Sequence, residues 1–122
     1  MKIETRTNGD CIVLDLDGQL VLGPATMALR QAVQEAVRKK PGKVVANLRK
    51  ISYIDSCGVG ELVSCLTHMR NQDGILVLLD PPRRVKDLLV ITKLDTVFEI
   101  YDDEQTAVAT KQGSVLQQRM SG

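Results

Sequence analysis

Apolar and polar positions alternate along the chain in two patterns, which predict short strands and amphipathic helices in turn. Residues 3–7 alternate, Asn8-Gly9-Asp10 is a turn signal, and the mainly apolar run Cys11–Asp17 follows. Asn-Gly between two such runs is typical of a β-hairpin. Gly18 and Gly23-Pro24 are predicted to end the second strand.

A helix is predicted to begin at Pro24, because proline suits the first turn of a helix. Its apolar positions are spaced by one, three or four residues and therefore share one helical face: Ala25, Leu29, Ala32, Val33, Ala36 and Val37. The basic residues and the Pro-Gly pair within residues 38–42 predict the end of this helix.

The rest of the chain repeats this succession of strand and helix. Strands are predicted at Val44–Leu48 with an extension over 51–54, at Ile75–Leu79 and at Val97–Tyr101. Helical stripes lie at Val59, Leu62, Val63, Leu66 and Met69 and at Val85, Leu88, Leu89 and Thr92, and a last helix follows the acidic residues 102–104. The order ββαβαβαβα predicts an α/β fold, a mixed, mostly parallel sheet with helices packed on it.

The length of 122 residues suits one domain, which we place at 1–113. Residues 114–122 are predicted to be a C-terminal tail that frays. The N-terminus has no apolar stretch typical of a secretory signal, and no apolar run reaches the roughly 20 residues that span a bilayer. We therefore expect no membrane insertion.

Composition and charge exclude several functions. The net charge is +1 and only three residues are aromatic. Both argue against direct nucleic-acid binding, which needs basic surfaces or stacking platforms. Three cysteines without a CxxC motif indicate reduced thiols in a cytoplasmic protein.

No catalytic, metal or cofactor site emerges from the remaining candidates. Cys57 and His68 are eleven residues apart, which separates them by about 16 Å along a helix. Cys65 and His68 could supply two metal ligands, but no further histidine exists to complete a site. Cys57 is interpreted as an inert, small core residue, with a redox role as the alternative. The chain is therefore predicted not to be an enzyme.

The strongest local signal is the small-residue segment Asp55–Gly60 between a predicted strand and a predicted helix. Functional groups collect at the carboxyl ends of strands in open α/β sheets. Ser56 is within reach of the N-cap role, and a phosphate there would lie near the positive end of the helix dipole. From the residues alone, a structural strand–helix turn and a phosphorylation site both remain open, and the turn is favoured.

A resemblance to a known protein family favours the interpretation of Ser56 as a phosphorylation site. The segment Asn47-Leu48 through Ile54-Asp55-Ser56-Cys57-Gly58-Val59-Gly60 resembles the signature of the STAS domain family, in particular that of bacterial anti-sigma factor antagonists. Gly18-Gln19-Leu20 and the passage from Val85 to Tyr101 also resemble that family, so the likeness covers nearly the whole chain.

The resemblance implies partner switching. The unphosphorylated chain would bind an anti-sigma factor that is a serine/threonine kinase, and so free a sigma factor. Phosphorylation at Ser56 would block that binding, and a phosphatase would restore it. Asp55, Cys57, Gly58, Val59 and Gly60 would form the phosphosite loop and contact the partner. A homodimer is a further expected assembly.

Three positions depart from the family pattern. Cys57 replaces a usual Ser, Ala or Thr, Val21 stands where many antagonists have a polar residue, and Lys93 replaces a frequent glycine. STAS domains also serve as modules of larger assemblies, such as transporter accessory subunits or multi-STAS signalling complexes. This binding module is the alternative function.

Overall fold

The computed structural model describes residues 1–109, which form a five-stranded sheet with helices packed against it. The strands are β1 (Lys2–Asn8), β2 (Cys11–Leu20), β3 (Lys43–Ile54), β4 (Ile75–Leu79) and β5 (Ile100–Tyr101). The helices are α1 (Pro24–Arg38), α2 (Ser56–Asn71), α3 (Arg83–Ile91) and α4 (Glu104–Ala109), with a 3₁₀ turn at Leu94–Thr96. The predicted α/β class and element order are confirmed.

The sheet order brings the carboxyl ends of the neighbouring strands β2 and β3 together. The strands lie in the order β1-β2-β3-β4-β5, with β1 antiparallel to β2 and the other neighbouring pairs parallel. Leu20 and Ile54 are register partners and end β2 and β3 at the same level of the sheet, whereas Leu79, the last residue of β4, is level with Asn47 of β3. We call the edge formed by the ends of β2 and β3 the carboxyl edge.

The core is aliphatic, as the scarcity of aromatic residues requires. Four residues of the predicted apolar face of α1 are buried, namely Ala25, Leu29, Val33 and Ala36. All five residues of β4 are buried, as expected for a strand covered on both faces. Each fully buried leucine or valine contributes about 1.5–3 kcal/mol to stability, so packing of these elements fixes the carboxyl edge in place.

Gly18 does not end β2, contrary to the prediction. The strand continues to Leu20, and Gly18 has a φ of 126°, a conformation that only glycine adopts easily. The register between β2 and β3 shifts between Gly18 and Gln19. The glycine therefore accommodates an irregularity inside the strand, and β2 reaches the carboxyl edge.

The last predicted strand, Val97–Tyr101, is shorter than expected. The backbone N–H groups of Val97 and Phe98 both donate to the carbonyl of Leu94 at 3.0 Å, so this part is a turn. Phe98 is buried and anchors the turn to the core. Only Ile100–Tyr101 pairs with β4.

Lys93 follows α3 with a φ of 61°, in the left-handed region. Glycine adopts this conformation at the ends of helices without strain, which explains in physical terms why a glycine would suit this position.

The predicted domain end at 113 and the tail 114–122 lie outside the described residues. Within residues 1–109, no helix is both long enough and apolar enough to cross a membrane.

Candidate functional site

The segment predicted as a turn is the N-cap and first turn of α2. Asp55 is the N-cap residue, with extended backbone, and its Oδ1 accepts a hydrogen bond from the Gly58 N–H at 2.8 Å. The N-cap role considered for Ser56 is therefore wrong. Both residue types cap helices well, but the backbone leaves β3 at Asp55, so the aspartate takes the position and Ser56 becomes the first helical residue.

Ser56 and Cys57 are exposed at the start of α2. The placement of Cys57 corrects the prediction of a core residue. In the first turn of a helix, side chains on the solvent side cannot reach the core whatever their size. The first turn of α2 carries no acidic side chain, so the positive end of its dipole is balanced by Asp55 at the N-cap.

The two glycines of this turn differ in their surroundings. Gly58 is buried, and a β-carbon there would overlap the carbonyl oxygen of Leu20 and lie 2.9 Å from Ile54 Cγ1. Gly60 is exposed, and a β-carbon there would meet nothing within 4 Å. Val59 is also buried and belongs to the core. Gly58 and Val59 therefore seat α2 on the sheet, while Ser56, Cys57 and Gly60 form its exposed start.

Asp55 also links α2 to the loop after β2. Its Oδ2 accepts a hydrogen bond from the Leu22 N–H at 3.1 Å. The Asp55 N–H in turn donates to the Leu20 carbonyl at 3.3 Å. The amides of Gly58 and then Leu22 hold the pKa of the Asp55 carboxyl below its usual value, since they favour the ionised form.

Apolar side chains stand exposed on the elements that meet at this edge, and the sequence analysis missed them. Leu22 is 71% exposed, Met27 in α1 is 59% exposed and Tyr53 near the end of β3 is 50% exposed. Asp55 bonds to Leu22, and Tyr53 is opposite Gln19 in the sheet. A leucine between a strand end and the Gly-Pro start of a helix is the signal that could have indicated this exposure.

A second polar group lies between α1 and α2. The buried Glu61 accepts hydrogen bonds from Arg30 at 2.7 and 3.3 Å. The Cys65 thiol lies 3.6 Å from the same carboxylate. Burial first, and then Glu61, raise the pKa of the Cys65 thiol to about 12, so this thiol is unreactive at neutral pH. The group borders a cavity of about 170 Å³ that also includes His68.

The geometry offers no metal centre in residues 1–109, where no three His, Cys, Asp or Glu side chains are placed to hold an ion. Cys65 and His68 border the same small cavity, but the carboxylate beside them is paired with Arg30. The two ligands that Cys65 and His68 could have supplied therefore have no third ligand beside them in the described part of the chain.

The fold is that of a known family. The family model described as STAS domain matches residues 2–107, and the chain belongs to this family. Two curated relatives share most of its length. A Thermotoga neapolitana protein named as a candidate anti-sigma factor antagonist is 29% identical over 85% of this chain and 92% of its own. The anti-sigma F factor antagonist of Paenibacillus polymyxa is 23% identical over 88% and 92%.

Solved structures share the fold. The unphosphorylated form of the anti-sigma factor antagonist SpoIIAA superimposes with a TM-score of 0.74 at 20% identity, covering 88% of this chain and 93% of its own. The phosphorylated Bacillus SpoIIAA gives 0.68 at 19% identity, covering 88% and 96%. A sulfate transporter family protein from Wolinella succinogenes gives 0.72 at 16% identity, covering 90% and 88%.

Proposed function

We propose that this chain is an anti-sigma factor antagonist switched by phosphorylation at Ser56. The observation that carries the proposal is the placement of Ser56, an exposed hydroxyl directly after the Asp55 N-cap at the carboxyl edge. The unphosphorylated chain binds an anti-sigma factor that is also a serine/threonine kinase. This binding frees the sigma factor in the cytoplasm.

In the phosphorylation reaction this chain supplies only the Ser56 hydroxyl group. The Ser56 hydroxyl oxygen forms a bond to the γ-phosphorus of ATP held by the kinase, ADP leaves, and the hydroxyl proton passes to a base of the kinase. An exposed serine at the first position of a helix is accessible to such an active site. A phosphatase hydrolyses the ester and restores the hydroxyl.

The physical effect of the phosphate is local. It adds about −1.5 to −2 charges at neutral pH, which exceeds the +1 net charge of the whole chain. The backbone N–H of the exposed Leu22 donates a hydrogen bond to Asp55. Asp55 directly precedes Ser56 in the sequence. A partner that covers this edge would have to bury a hydrated dianion close to an apolar side chain, which costs free energy of binding.

The proposal is tested by phosphosite mapping. The tagged chain is purified from the cells that express it together with its bound partner, ATP is added, and phosphopeptides are mapped by mass spectrometry. We expect stoichiometric phosphate on Ser56 and none in Ser56→Ala. Ser52→Ala and Ser64→Ala remove exposed serines near α2 and within it, and serve as matched controls that keep the label. Label on another residue in the wild-type chain would contradict the site.

A second candidate function follows from the sulfate transporter family neighbour. The chain would then be a STAS module in a larger assembly, and Ser56 would be a helix-start residue without a switch. The same purification separates the two functions. An ATP-binding kinase among the bound proteins supports the switch, whereas a membrane transporter supports the module. A homodimer is compatible with either function.

A further inference from the structure

The carboxylate of Asp55 holds two elements at once. One oxygen accepts the Gly58 N–H at 2.8 Å and the other accepts the Leu22 N–H at 3.1 Å. The first bond fixes the start of α2, and the second ties down the loop that carries the exposed Leu22. The Asp55 side chain therefore links the loop at Leu22 to the start of α2, beyond the backbone pairing that already holds Leu20 beside Ile54.

We propose that Asp55 is a positioning residue that holds Leu22 beside Ser56, and that a phosphate on Ser56 loosens this hold. The inference rests on the proposed function, because it takes Ser56 as the residue that carries the phosphate. It goes further by giving the phosphate a second action inside the chain, besides the repulsion of a partner.

Two effects of the phosphate act on the same carboxylate. First, Ser56 directly follows Asp55, so the phosphate places a second anion next to a carboxylate that is already ionised, and like charges repel. Second, the phosphate brings three acceptor oxygens to the start of α2, where backbone N–H groups bind phosphate well. These oxygens compete with Asp55 for the Gly58 N–H, and a displaced carboxylate releases Leu22.

The rest of the loop does not replace this hold. Gly23 next to Leu22 has a φ of 121° and bonds locally to Thr26, its N–H donating to Thr26 Oγ1 at 3.3 Å. The Leu22 side chain is 71% exposed, so core packing does not anchor it. Leu22 depends on the bond to Asp55, and its position responds to the charge at Ser56.

Amide hydrogen exchange measured by NMR tests the inference on the full chain. Phosphoserine is placed at position 56 by genetic encoding, so the experiment does not require that a kinase modifies this residue. We expect exchange of the Leu22 amide to speed up by about tenfold with the phosphate, as a local opening becomes easier. The Val77 amide in β4 reports global opening and is expected not to change.

Asp55→Asn separates positioning from general stability. Its side chain has one carbonyl oxygen and cannot accept both amides, so Leu22 exchange is expected to be fast with or without the phosphate. Asp103→Asn is the matched control, since Asp103 caps α4 through the Thr106 N–H at 3.0 Å on a different element. This variant is expected to keep the tenfold response at Leu22.

Two results would overturn the inference: Leu22 exchange unchanged by the phosphate in the wild-type chain, or a full phosphate response retained in Asp55→Asn. If Asp55→Asn fails to fold, the wild-type comparison alone decides. Neither result bears on the proposed function, whose failure would appear as absent kinase labelling of Ser56.

Discussion

Gly58 packs against the carbonyl oxygen of Leu20 so closely that a β-carbon on Gly58 would overlap that oxygen. This contact joins the first turn of α2 to the end of β2. The helix can approach the strand this closely only because Gly58 has no side chain. The contact therefore fixes the position of Ser56 relative to the carboxyl edge.

Gly58→Ala is therefore expected to destabilise the fold by about 2–3 kcal/mol, since backbone atoms must shift to accept the methyl group. Gly60→Ala is the matched control in the same helix turn, with open space around it. It is expected to stabilise the chain by about 0.5–1 kcal/mol, because alanine favours the helix. Urea unfolding checks both, and equal effects of the two substitutions would contradict the packing described.

The acid sensitivity of the fold is expected to depend on Arg6. This residue in β1 bonds to Asp15 in β2 at 2.6 Å and to Glu104 in α4 at 2.7 Å. Hydrogen bonds from Arg6 lower the pKa of Asp15 from 3.8 and that of Glu104 from 4.5. A lowered carboxyl pKa gives stability that is complete above the unfolded value and lost as the pH falls through the folded value.

Arg6→Gln is accordingly expected to lower the free energy of unfolding by about 1 kcal/mol at pH 7, a modest value because solvent screens these groups. The difference from the wild type should shrink as the pH falls from about 5 to 3. Urea unfolding at a series of pH values measures it. Arg38→Gln, which breaks an exposed pair with Glu35 in α1, is the control with little effect. A difference between Arg6→Gln and wild type that stays constant with pH would contradict the assignment.

Thiol reactivity is expected to distinguish the three cysteines. Cys57 is exposed, whereas Cys11 and Cys65 are buried and burial raises the pKa of both thiols. One equivalent of dithiobis(nitrobenzoate) should react rapidly with the native chain, and Cys57→Ser should abolish that phase. Rapid reaction of two or more thiols in the native state would show that the placement of these residues is wrong.

The sequence predicts most of the fold because the periodicities are strong. The apolar stripe of α1 predicts a helix and the unbroken run Ile75–Leu79 predicts a buried strand, and both are confirmed. The two failures have different causes, one in the pairing of neighbouring strands and one in local hydrogen bonds. Gly18 continues a strand because its neighbour β3 tolerates a register shift, and Val97–Phe98 turns because both amides bond to Leu94.

The sequence indicates the segment of the candidate site, but it does not indicate the hydrogen bonds and exposures within that segment. The family resemblance pointed to Asp55 and Ser56, and the structure puts both at the carboxyl edge. The bond from Leu22 to Asp55 spans 33 positions of the sequence, and no local pattern indicates it. The exposure of Cys57 depends on which way the first turn of α2 faces, and composition carries no information on that.

The binding of the co-purified anti-sigma factor kinase to this chain, with and without phosphate on Ser56, tests the central claim most directly. Isothermal titration calorimetry compares the wild-type chain, Ser56→Ala and the chain with phosphoserine encoded at 56. We expect similar affinities for the first two and a loss of at least about 100-fold for the third, which corresponds to about 2.7 kcal/mol. Equal affinity of the phosphorylated and unphosphorylated chains would contradict the account.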